Sequence, residues 1–402
     1  MIDLADTPLI DNHVHIFAPD VDQPSFDPMG TFTLGGDDPG FLEVDGRTLN
    51  EKERARLTQN LRHSMAYQGA MCELAGFLGC APEREAVLAA RAEQLADFPA
   101  YVRKLYADVN LGTVIVDTGN PLDVDLEAFA RLTDVPTYGI YRIEVLIWRL
   151  WEVHDDFNAF VEAYLDTLQL RCAESRIVSL KSVIAYRTGL AVELVDRDTA
   201  RTAFTRLKGS VEADGLLRRV HVPRSLFGLV KTLRDYLLCQ ALELSIELQM
   251  PFQIHTGLGD QDLDIATARP GFLGAIFRDP KLRHARIVML HGSYPFYEEG
   301  AYLANIFPNV YLDLSLFNPW LGYSSISHVM TSILDLAPFT KLLYASDAYG
   351  SPEMQWLAGR NARTALASTF ETAVSAARLT AQEARTATRL ILAENAQELY
   401  EL

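Results

Sequence analysis

Short apolar runs alternate with longer amphipathic segments along this chain. The short runs have the length and apolar content of buried strands, and we predict strands at 9–17, 112–117, 139–145, 176–184, 251–255, 286–291, 309–313 and 341–347. The longer segments predict helices, among them 157–170, 195–213, 224–247 and 381–396. Eight buried strands alternating with helices are typical of a parallel sheet covered by helices, so we predict the α/β class and a (β/α)8 TIM barrel. A doubly wound nucleotide-binding sheet is the weaker interpretation, because neither Gly-X-Gly-X-X-Gly nor Gly-X4-Gly-Lys-Ser/Thr is present.

The segment between the first two predicted strands is longer than a single crossover helix requires. Residues 18–46 are rich in Gly, Pro and Asp and predict a loop, whereas 48–72 and 82–104 carry helical patterns. We therefore predict one TIM-barrel domain spanning 1–402, with a mostly helical insertion at 18–110 that covers the barrel mouth. A peripheral dimerisation element is the alternative for this insertion.

Polar residues occur where several apolar strands end. His13 and His15 are separated by one residue, so their side chains share one face of the first strand. Two imidazoles on one face are often metal ligands, although alternating polar residues also mark a half-solvated strand. Four more polar residues lie in or at the ends of later strands: Lys181, His255, His291 and Asp347. A barrel gathers the carboxyl ends of its strands at one mouth, so we expect all six side chains to converge there.

Each of these four residues can also be explained by a structural role, with no part in catalysis or metal binding. His255 and His291 could be core histidines with satisfied hydrogen bonds, and Asp347 could cap the following helix. Lys181 lies within an apolar strand, where a lysine has to be paired, neutral or chemically modified. The occurrence of all six at predicted strand ends favours a functional site over six separate coincidences.

Three longer motifs extend this set, namely Lys-Ser-Val-Ile-Ala-Tyr-Arg-Thr-Gly-Leu at 181–190, Gln-Ile-His-Thr-Gly-Leu-Gly-Asp at 253–260 and Leu-His-Gly-Ser-Tyr-Pro at 290–295. With the His-X-His pair they resemble the metal-dependent amidohydrolase superfamily. The similarity is to the amidohydrolase-2 branch, and within it to the amidohydrolase part of nodulin/FluG-type glutamine-synthetase fusions. It extends over essentially the whole chain.

The resemblance implies a role for each residue. His13 and His15 would hold one divalent metal, with zinc as the expected ion, and Asp347 would complete that site. His255 and His291 would hold a second metal, and a carbamate formed on Lys181 would bridge the two. Decarboxylases of the same branch use one metal, and in that case Lys181 would be an unmodified substrate contact.

A metal site of this kind has a definite chemistry, and residues near the same strand ends are candidates for substrate contacts. A divalent metal lowers the pKa of water and polarises a carbonyl group. Asp347 would act as the catalytic proton carrier between water and the leaving nitrogen. Predicted substrate contacts are Arg142, Tyr186, Arg187, Gln253 and Tyr294. The arginines suit a substrate carboxylate, although structural salt bridges are an equally good explanation for them.

The composition of the chain disfavours some classes of binding partner. The chain has 402 residues, 49% of them hydrophobic, and a formal net charge of −17. This charge disfavours nucleic acid and anionic membranes as partners, which leaves a small-molecule substrate. The N-terminus has no basic start followed by an apolar run, so we expect a cytoplasmic protein. The sequence leaves a homo-oligomer open.

The sequence therefore predicts a metal-dependent hydrolase of an amide-type C–N bond in a small, carboxylate-bearing molecule. A γ-glutamyl amide is suggested only by the kinship with synthetase fusions. A metal-dependent non-oxidative decarboxylase on the same barrel is the first alternative. A non-catalytic scaffold is the second.

Overall fold

Eight of the ten described β-strands form one parallel sheet. The computed structural model describes residues 6–17, 26–33, 43–44, 47–48, 50–122, 124–219, 222–260 and 263–402. The strands are β1 Leu9–Val14, β2 Glu43–Val44, β3 Arg47–Thr48, β4 Leu111–Asp117, β5 Thr137–Arg142, β6 Ile177–Ser182, β7 Phe252–Ile254, β8 Ile287–Met289, β9 Val310–Asp313 and β10 Leu342–Leu343. The parallel sheet has the order β1-β4-β5-β6-β7-β8-β9-β10, and β2 pairs with β3 in a separate antiparallel ribbon.

Helices lie between and after these strands. Within the described residues they are α1 Pro28–Phe32, α2 Glu51–Leu61, α3 Met65–Leu78, α4 Arg84–Gln94, α5 Phe98–Asp108, α6 Leu126–Thr133, α7 Ile143–Val153, α8 Phe157–Cys172, α9 Arg197–Lys208, α10 Arg224–Glu247, α11 Gly274–Arg278, α12 Tyr297–Ile306, α13 Phe317–Trp320, α14 Tyr323–Leu336, α15 Pro352–Ser375, α16 Ala381–Arg389 and α17 Asn395–Tyr400. In the part of the chain that the structure describes, no helix is both long and apolar enough to cross a bilayer.

The first and last strands of the sheet meet and bring it round into a barrel. The backbone N–H of Asn12 donates to the carbonyl of Tyr344 over 3.2 Å, and the N–H of His15 donates to that of Ala348 over 2.8 Å. The N–H of Asp347 donates to the carbonyl of His13 over 2.9 Å. The predicted (β/α)8 barrel is thus confirmed, and this seam sets the two ends of the sheet side by side.

The chain's last helix packs inside the amino-terminal end of the barrel. Buried residues on the strands meet residues 393–400 in one apolar cluster: Ile10, Ile115, Ile140, Val288, Leu290 and Leu343 from the strand side, and Ala393, Ala396, Leu399 and Tyr400 from the C-terminal segment. The hydroxyl of Tyr400 reaches past this cluster to the side chain of Asn12, 3.0 Å away. The opposite, carboxyl-terminal end is left for polar side chains, as is usual for TIM barrels.

Several predicted boundaries were wrong. The predicted strand 139–145 ends at Arg142, and Ile143 begins α7, because buried residues recur there at helical spacing: Ile143, Leu146, Ile147 and Trp151. The predicted helix 48–72 is interrupted before α3, whose N-cap Ser64 accepts from the N–H of Tyr67. The predicted helix 82–104 is divided at Phe98, where Asp97 caps α5 and Pro99 occupies its first turn.

The predicted insertion at 18–110 is described only in part, because residues 18–25, 34–42, 45–46 and 49 lie outside the described residues. Its helices α4 and α5 pack against the start of α15. Arg91 of α4 forms a buried ion pair with Glu353 of α15, and the hydroxyl of Tyr101 of α5 donates to the same carboxylate over 3.0 Å. That the segment as a whole covers the barrel mouth stays a prediction.

The Arg91–Glu353 pair allows a test of how strongly this segment is attached. In Arg91→Met the buried carboxylate of Glu353 loses its only charged partner among the described residues. Removing one member of a buried ion pair typically costs about 3–5 kcal/mol, because the other charge stays buried. We expect a large fall in the denaturant midpoint of unfolding.

The matched control is Arg389→Met, which breaks the half-exposed pair with Glu394. Exposed pairs contribute about 0–1 kcal/mol, so its midpoint should hardly move. Equal shifts of the unfolding midpoint in the two variants would show that the Arg91–Glu353 pair does not stabilise the protein more than an exposed pair does.

Candidate metal centre and its cavity

Two imidazoles and one carboxylate converge at the barrel seam. The Oδ1 atom of Asp347 lies 3.1 Å from Nε2 of His13 and 3.4 Å from Nε2 of His15. All three residues are buried, and their ligand atoms lie within 4.8 Å of one another. The two histidines come from β1 and the aspartate follows β10, so the closure of the barrel is what brings them together.

The imidazole tautomers of both histidines suit a cation. Nδ1 of His13 contacts the Oε1 atom of Gln253 over 2.7 Å, and Nδ1 of His15 contacts the carbonyl oxygen of Asn120 over 2.7 Å. Both partners are acceptors, so each ring carries its proton on Nδ1 and has a lone pair on Nε2. Outer partners of this kind are what orient metal-ligating histidines.

The charges at this point also suit a cation. Burial lowers the pKa of His13 to about 4, with Lys181 adding to the effect, so the ring is neutral near pH 7. Burial opposes ionisation of Asp347, but His291 and His13 together hold its pKa well below the ordinary value. The Oδ1 atom of Asp347 is buried and has no hydrogen-bond partner among the described residues. Two imidazole nitrogens and an unsatisfied carboxylate oxygen fit a divalent ion with one side open.

Gln253 lies behind His13 rather than in the cavity. Its Nε2 donates to the carbonyl of Asn12 over 2.9 Å and to the hydroxyl of Tyr400 over 2.8 Å. These two bonds fix the amide so that Oε1 faces His13. Gln253 was predicted as a substrate contact, and its described contacts are instead those of a residue that orients a metal ligand.

Lys181 is paired in this structure. Its Nζ lies 2.8 Å from Oδ2 of Asp117 and 2.8 Å from Nε2 of His13. The same Oδ2 accepts from Arg142, whose Nη2 is 2.5 Å away. Burial lowers the pKa of Lys181 and Asp117 opposes this, while Arg142 and Lys181 overcome the burial of Asp117 and hold its pKa well below the usual range. Of the three states open to a buried lysine, the described contacts are those of an ion pair, and the carbamate stays a prediction.

Asp117 is a site residue that the sequence interpretation missed. It ends β4 just as the predicted ligands end or follow their own strands. The signal was therefore present in the sequence. A single aspartate after an apolar run is common, however, and its value here comes from Lys181 and Arg142 on neighbouring strands.

His255 and His291 lie against each other. Nδ1 of His255 is 2.7 Å from Nε2 of His291, and the ring centroids are 4.3 Å apart. Burial lowers the pKa of both rings, to about 3 for His291 and well below the ordinary value for His255. Neither ring belongs to the three-residue group of His13, His15 and Asp347. Their role as ligands of a second metal stays a prediction.

A cavity of about 200 Å³ opens over the candidate ligands. Of the predicted substrate contacts, Arg142, Tyr186 and Arg187 line it; Gln253 and Tyr294 are not among its described lining residues. Tyr294 instead stacks on Tyr297, with ring centroids 6.1 Å apart. The sequence did not single out several residues that also line the cavity: Asn120, Asp260, Leu316, Trp320 and Tyr349. Trp320 ends the short helix α13, and the other four lie on loops, where a pattern of apolar and polar positions gives little information.

The contact between Gln253 and His13 leads to a prediction about zinc affinity. Gln253→Leu keeps the side-chain volume but removes the acceptor that sets the His13 tautomer. Loss of such an outer partner typically weakens metal binding by about 10–100-fold. Competition with a chromophoric chelator would measure the zinc affinity of the variant.

Gln397→Leu, on an exposed position of α17, is the control and should bind zinc like the unaltered protein. Thermal unfolding of both variants separates a local effect from a loss of fold. Unchanged zinc affinity in a folded Gln253→Leu protein would contradict the assigned role.

Comparisons with known proteins agree with the barrel fold. A family profile described as Amidohydrolase matches residues 180–402. Protein fluG of Emericella nidulans is 34% identical over 260 residues, which are 63% of this chain and 28% of that protein, so the chain spans well under half of its length. A crystal structure assigned as a metal-dependent hydrolase from Lactobacillus casei ATCC 334 superposes with a TM-score of 0.81 at 27% identity, covering 99% of this chain and 96% of the other. Uronate isomerase from Thermotoga maritima has a TM-score of 0.64 at 15% identity, covering 98% and 95%, and supports the fold alone.

Proposed function

Because this chain belongs to the amidohydrolase family, we propose that it is a metal-dependent hydrolase of an amide-type C–N bond in a small, carboxylate-bearing molecule. The observation that carries the proposal is the convergence of His13, His15 and Asp347 beneath a cavity of about 200 Å³. A divalent ion, expected to be zinc, would supply a nucleophilic water at neutral pH and polarise the amide carbonyl.

The contacts of His13, His15 and Asp347 suggest a separate role for the histidines and for the aspartate. His13 and His15 present Nε2 lone pairs and are held in that orientation by Gln253 and the Asn120 carbonyl. Asp347 is ionised and lies within 3.4 Å of both Nε2 atoms, so it can accept a proton from the attacking water. The same carboxyl group can then deliver that proton to the leaving nitrogen, which has to be protonated before it departs.

The charge of the cavity supports an anionic substrate. Arg142 and Lys181 share one oxygen of Asp117, so this trio carries two positive charges and one negative charge. Arg187 adds a further guanidinium to the cavity wall. A substrate carboxylate would be attracted to this side, and a guanidinium can bind it through two parallel hydrogen bonds.

A γ-glutamyl amide is the first substrate class to test, since the sequence motifs resemble amidohydrolase parts of glutamine-synthetase fusions. Zinc-loaded protein would be incubated with γ-glutamyl and N-acyl amides, and the released amine would be quantified. Release of amine with a new carboxylate supports hydrolysis.

Non-oxidative decarboxylation is the second candidate, and one observation favours it. The described residues contain one three-residue ligand group, and a one-metal site suffices for that reaction. Carbon dioxide would then be released from a carboxylic acid substrate, with no amine formed. Such a result would overturn the amide hydrolase proposal while leaving the metal site intact.

Removing a ligand should remove the metal. Loss of an outer partner weakens metal binding by up to about 100-fold. In His13→Asn we expect a larger loss of zinc affinity, because the variant lacks a nitrogen that would coordinate the metal directly. Activity should fall with the bound zinc. Elemental analysis after dialysis against trace zinc would give the metal content per chain.

His63→Asn is the control, since His63 is exposed on the segment between α2 and α3. It should keep the same metal content and activity. Treatment of the unaltered protein with a chelator should abolish turnover, and added zinc should restore it. Full activity of metal-free protein would contradict the proposal.

Replacing Arg187 should raise KM only for substrates that carry a carboxylate. Hydrogen bonds to charged groups contribute about 1.5–3 kcal/mol, so Arg187→Gln should raise KM for a carboxylate-bearing amide by about 10–100-fold. Steady-state kinetics on a matched amide without the carboxylate provide the control. If KM rises equally for both substrates, Arg187 does not recognise the carboxylate.

A further inference from the structure

One side of the cavity wall is basic. The lysine and arginine side chains of its described lining are those of Arg142, Lys181 and Arg187. Arg142 ends β5, Lys181 lies in β6, and Arg187 follows β6. These two strands are the third and fourth of the eight in the parallel sheet, so the basic side chains come from one part of the barrel.

The opposite side of the cavity wall is apolar and aromatic. Leu316 and Trp320 follow β9, and Tyr349 follows β10. These strands are the seventh and eighth of the sheet. In a closed ring of eight strands the seventh faces the third and the eighth faces the fourth. The three side chains therefore lie across the cavity from the basic ones, although one aliphatic residue of the described lining, Val183, lies on the β6 side.

Leu316 is held in this wall by an unusual backbone conformation. Its φ of 64° and ψ of −48° are rare for leucine. The N–H of Phe317 donates to the carbonyl of Ser315 over 2.7 Å, which closes a γ-turn at Leu316. The N–H of Leu316 donates to the carbonyl of Ser346 over 3.1 Å, and Ser346 directly precedes Asp347. Strained conformations persist where the surroundings enforce them and are concentrated at functional sites.

Trp320 adds hydrocarbon surface to the same wall. Its Nε1–H donates to the carbonyl of Thr31 over 3.2 Å, so its one polar group already has a partner within the protein. The indole ring lies edge-on to the ring of Tyr349, with centroids 5.8 Å apart and planes at 75°. Aromatic pairs favour this arrangement. What the indole of Trp320 offers to a substrate is therefore apolar contact.

The position of Asp347 sets which half of an amide substrate would lie on which side. Asp347 and Tyr349 both follow β10 and are two residues apart in the sequence. In the proposed reaction Asp347 delivers a proton to the leaving nitrogen, so the leaving amine has to lie near β10. The acyl half then extends across the cavity towards β5 and β6, where Arg142 and Arg187 suit a carboxylate.

We propose that the substrate is an amide whose acyl half bears the carboxylate and whose leaving amine bears a short apolar group that packs on Leu316, Trp320 and Tyr349. This substrate class rests on the proposed hydrolase function. The cavity volume limits the apolar group to a branched alkyl chain or a single ring. A cavity of about 150 Å³ is sufficient for one benzene molecule, and this one has about 200 Å³ for the whole substrate.

Two isomeric amides test the orientation with zinc-loaded protein. Glutaric acid mono-isobutylamide carries its carboxylate on the acyl half and its alkyl group on the amine. N-isovaleryl-γ-aminobutyrate has the same atoms, charge and length, but its amide is reversed. We expect kcat/KM to be at least about tenfold higher for the isobutylamide, since a misplaced apolar group costs this much or more. An equal or reversed preference would overturn the proposed orientation.

Binding without turnover tests the apolar side separately. In 5-oxoheptanoate and 8-methyl-5-oxononanoate a methylene group replaces the scissile N–H of the methylamide and the isobutylamide, so neither can be hydrolysed. Calorimetry on zinc-loaded protein should show that the longer ketone binds at least about tenfold more tightly, because it buries three more apolar carbons. Equal affinities, or no binding of either ketone, would overturn the proposal. A retained preference without hydrolysis of any amide would overturn the proposed function alone.

Two substitutions test which residues form the apolar side. Trp320→Ala and Leu316→Gly should each lose most of the preference for the longer ketone while binding the shorter one nearly as before. Glycine adopts the backbone conformation of Leu316 without strain, so this variant should fold. Trp148→Ala is the matched control, because Trp148 lies on α7, contacts Arg218 and is outside the described cavity lining. An unchanged preference in either variant, shown by thermal unfolding to be folded, would overturn the assignment.

Discussion

The contact between the first and last strands is the constraint on which the site depends. Asp11 of β1 is buried, and it accepts the backbone N–H of Ser346 over 2.9 Å and the Ser346 hydroxyl over 2.5 Å. Burial raises the pKa of Asp11 to about 6, and the bonds from Ser346 partly oppose this. His13 lies two residues after Asp11 on β1, and Asp347 directly follows Ser346. The geometry of the candidate metal ligands is therefore a consequence of how the barrel closes.

Segments outside the barrel strengthen this seam. Gln355 at the start of α15 donates to Oδ2 of Asp11 over 3.2 Å and accepts from the hydroxyl of Tyr106 on α5. Two residues before it, Glu353 is held by Arg91 of α4. The helices that follow the first strand are thus linked to the candidate metal ligands by a short series of buried polar contacts. A change in these helices can affect the site without touching the cavity.

The sequence predicted the barrel and the convergence at its seam because both depend on local patterns. A buried strand and a polar residue at its end can be recognised without knowing what lies opposite. Contacts across the barrel could not be predicted in this way. Gln253 was expected to contact the substrate because it shares a strand face with His255, but its Oε1 atom contacts Nδ1 of His13 on a distant strand. Likewise, Asp117 looked like an ordinary strand end until Lys181 and Arg142 were seen to meet on it.

Hydrogen-bond satisfaction explains which atoms are left for a ligand. His13, His15 and His255 each use Nδ1 for a partner behind the cavity, and each directs Nε2 away from that partner. Buried polar atoms are nearly always paired in folded proteins, so the exceptions at a cavity wall carry information. Nε2 of His255 and Oδ1 of Asp347 are two such exceptions among the described residues. Because the hydrogen bonds behind them hold these side chains in place, only a group bound in the cavity would satisfy them.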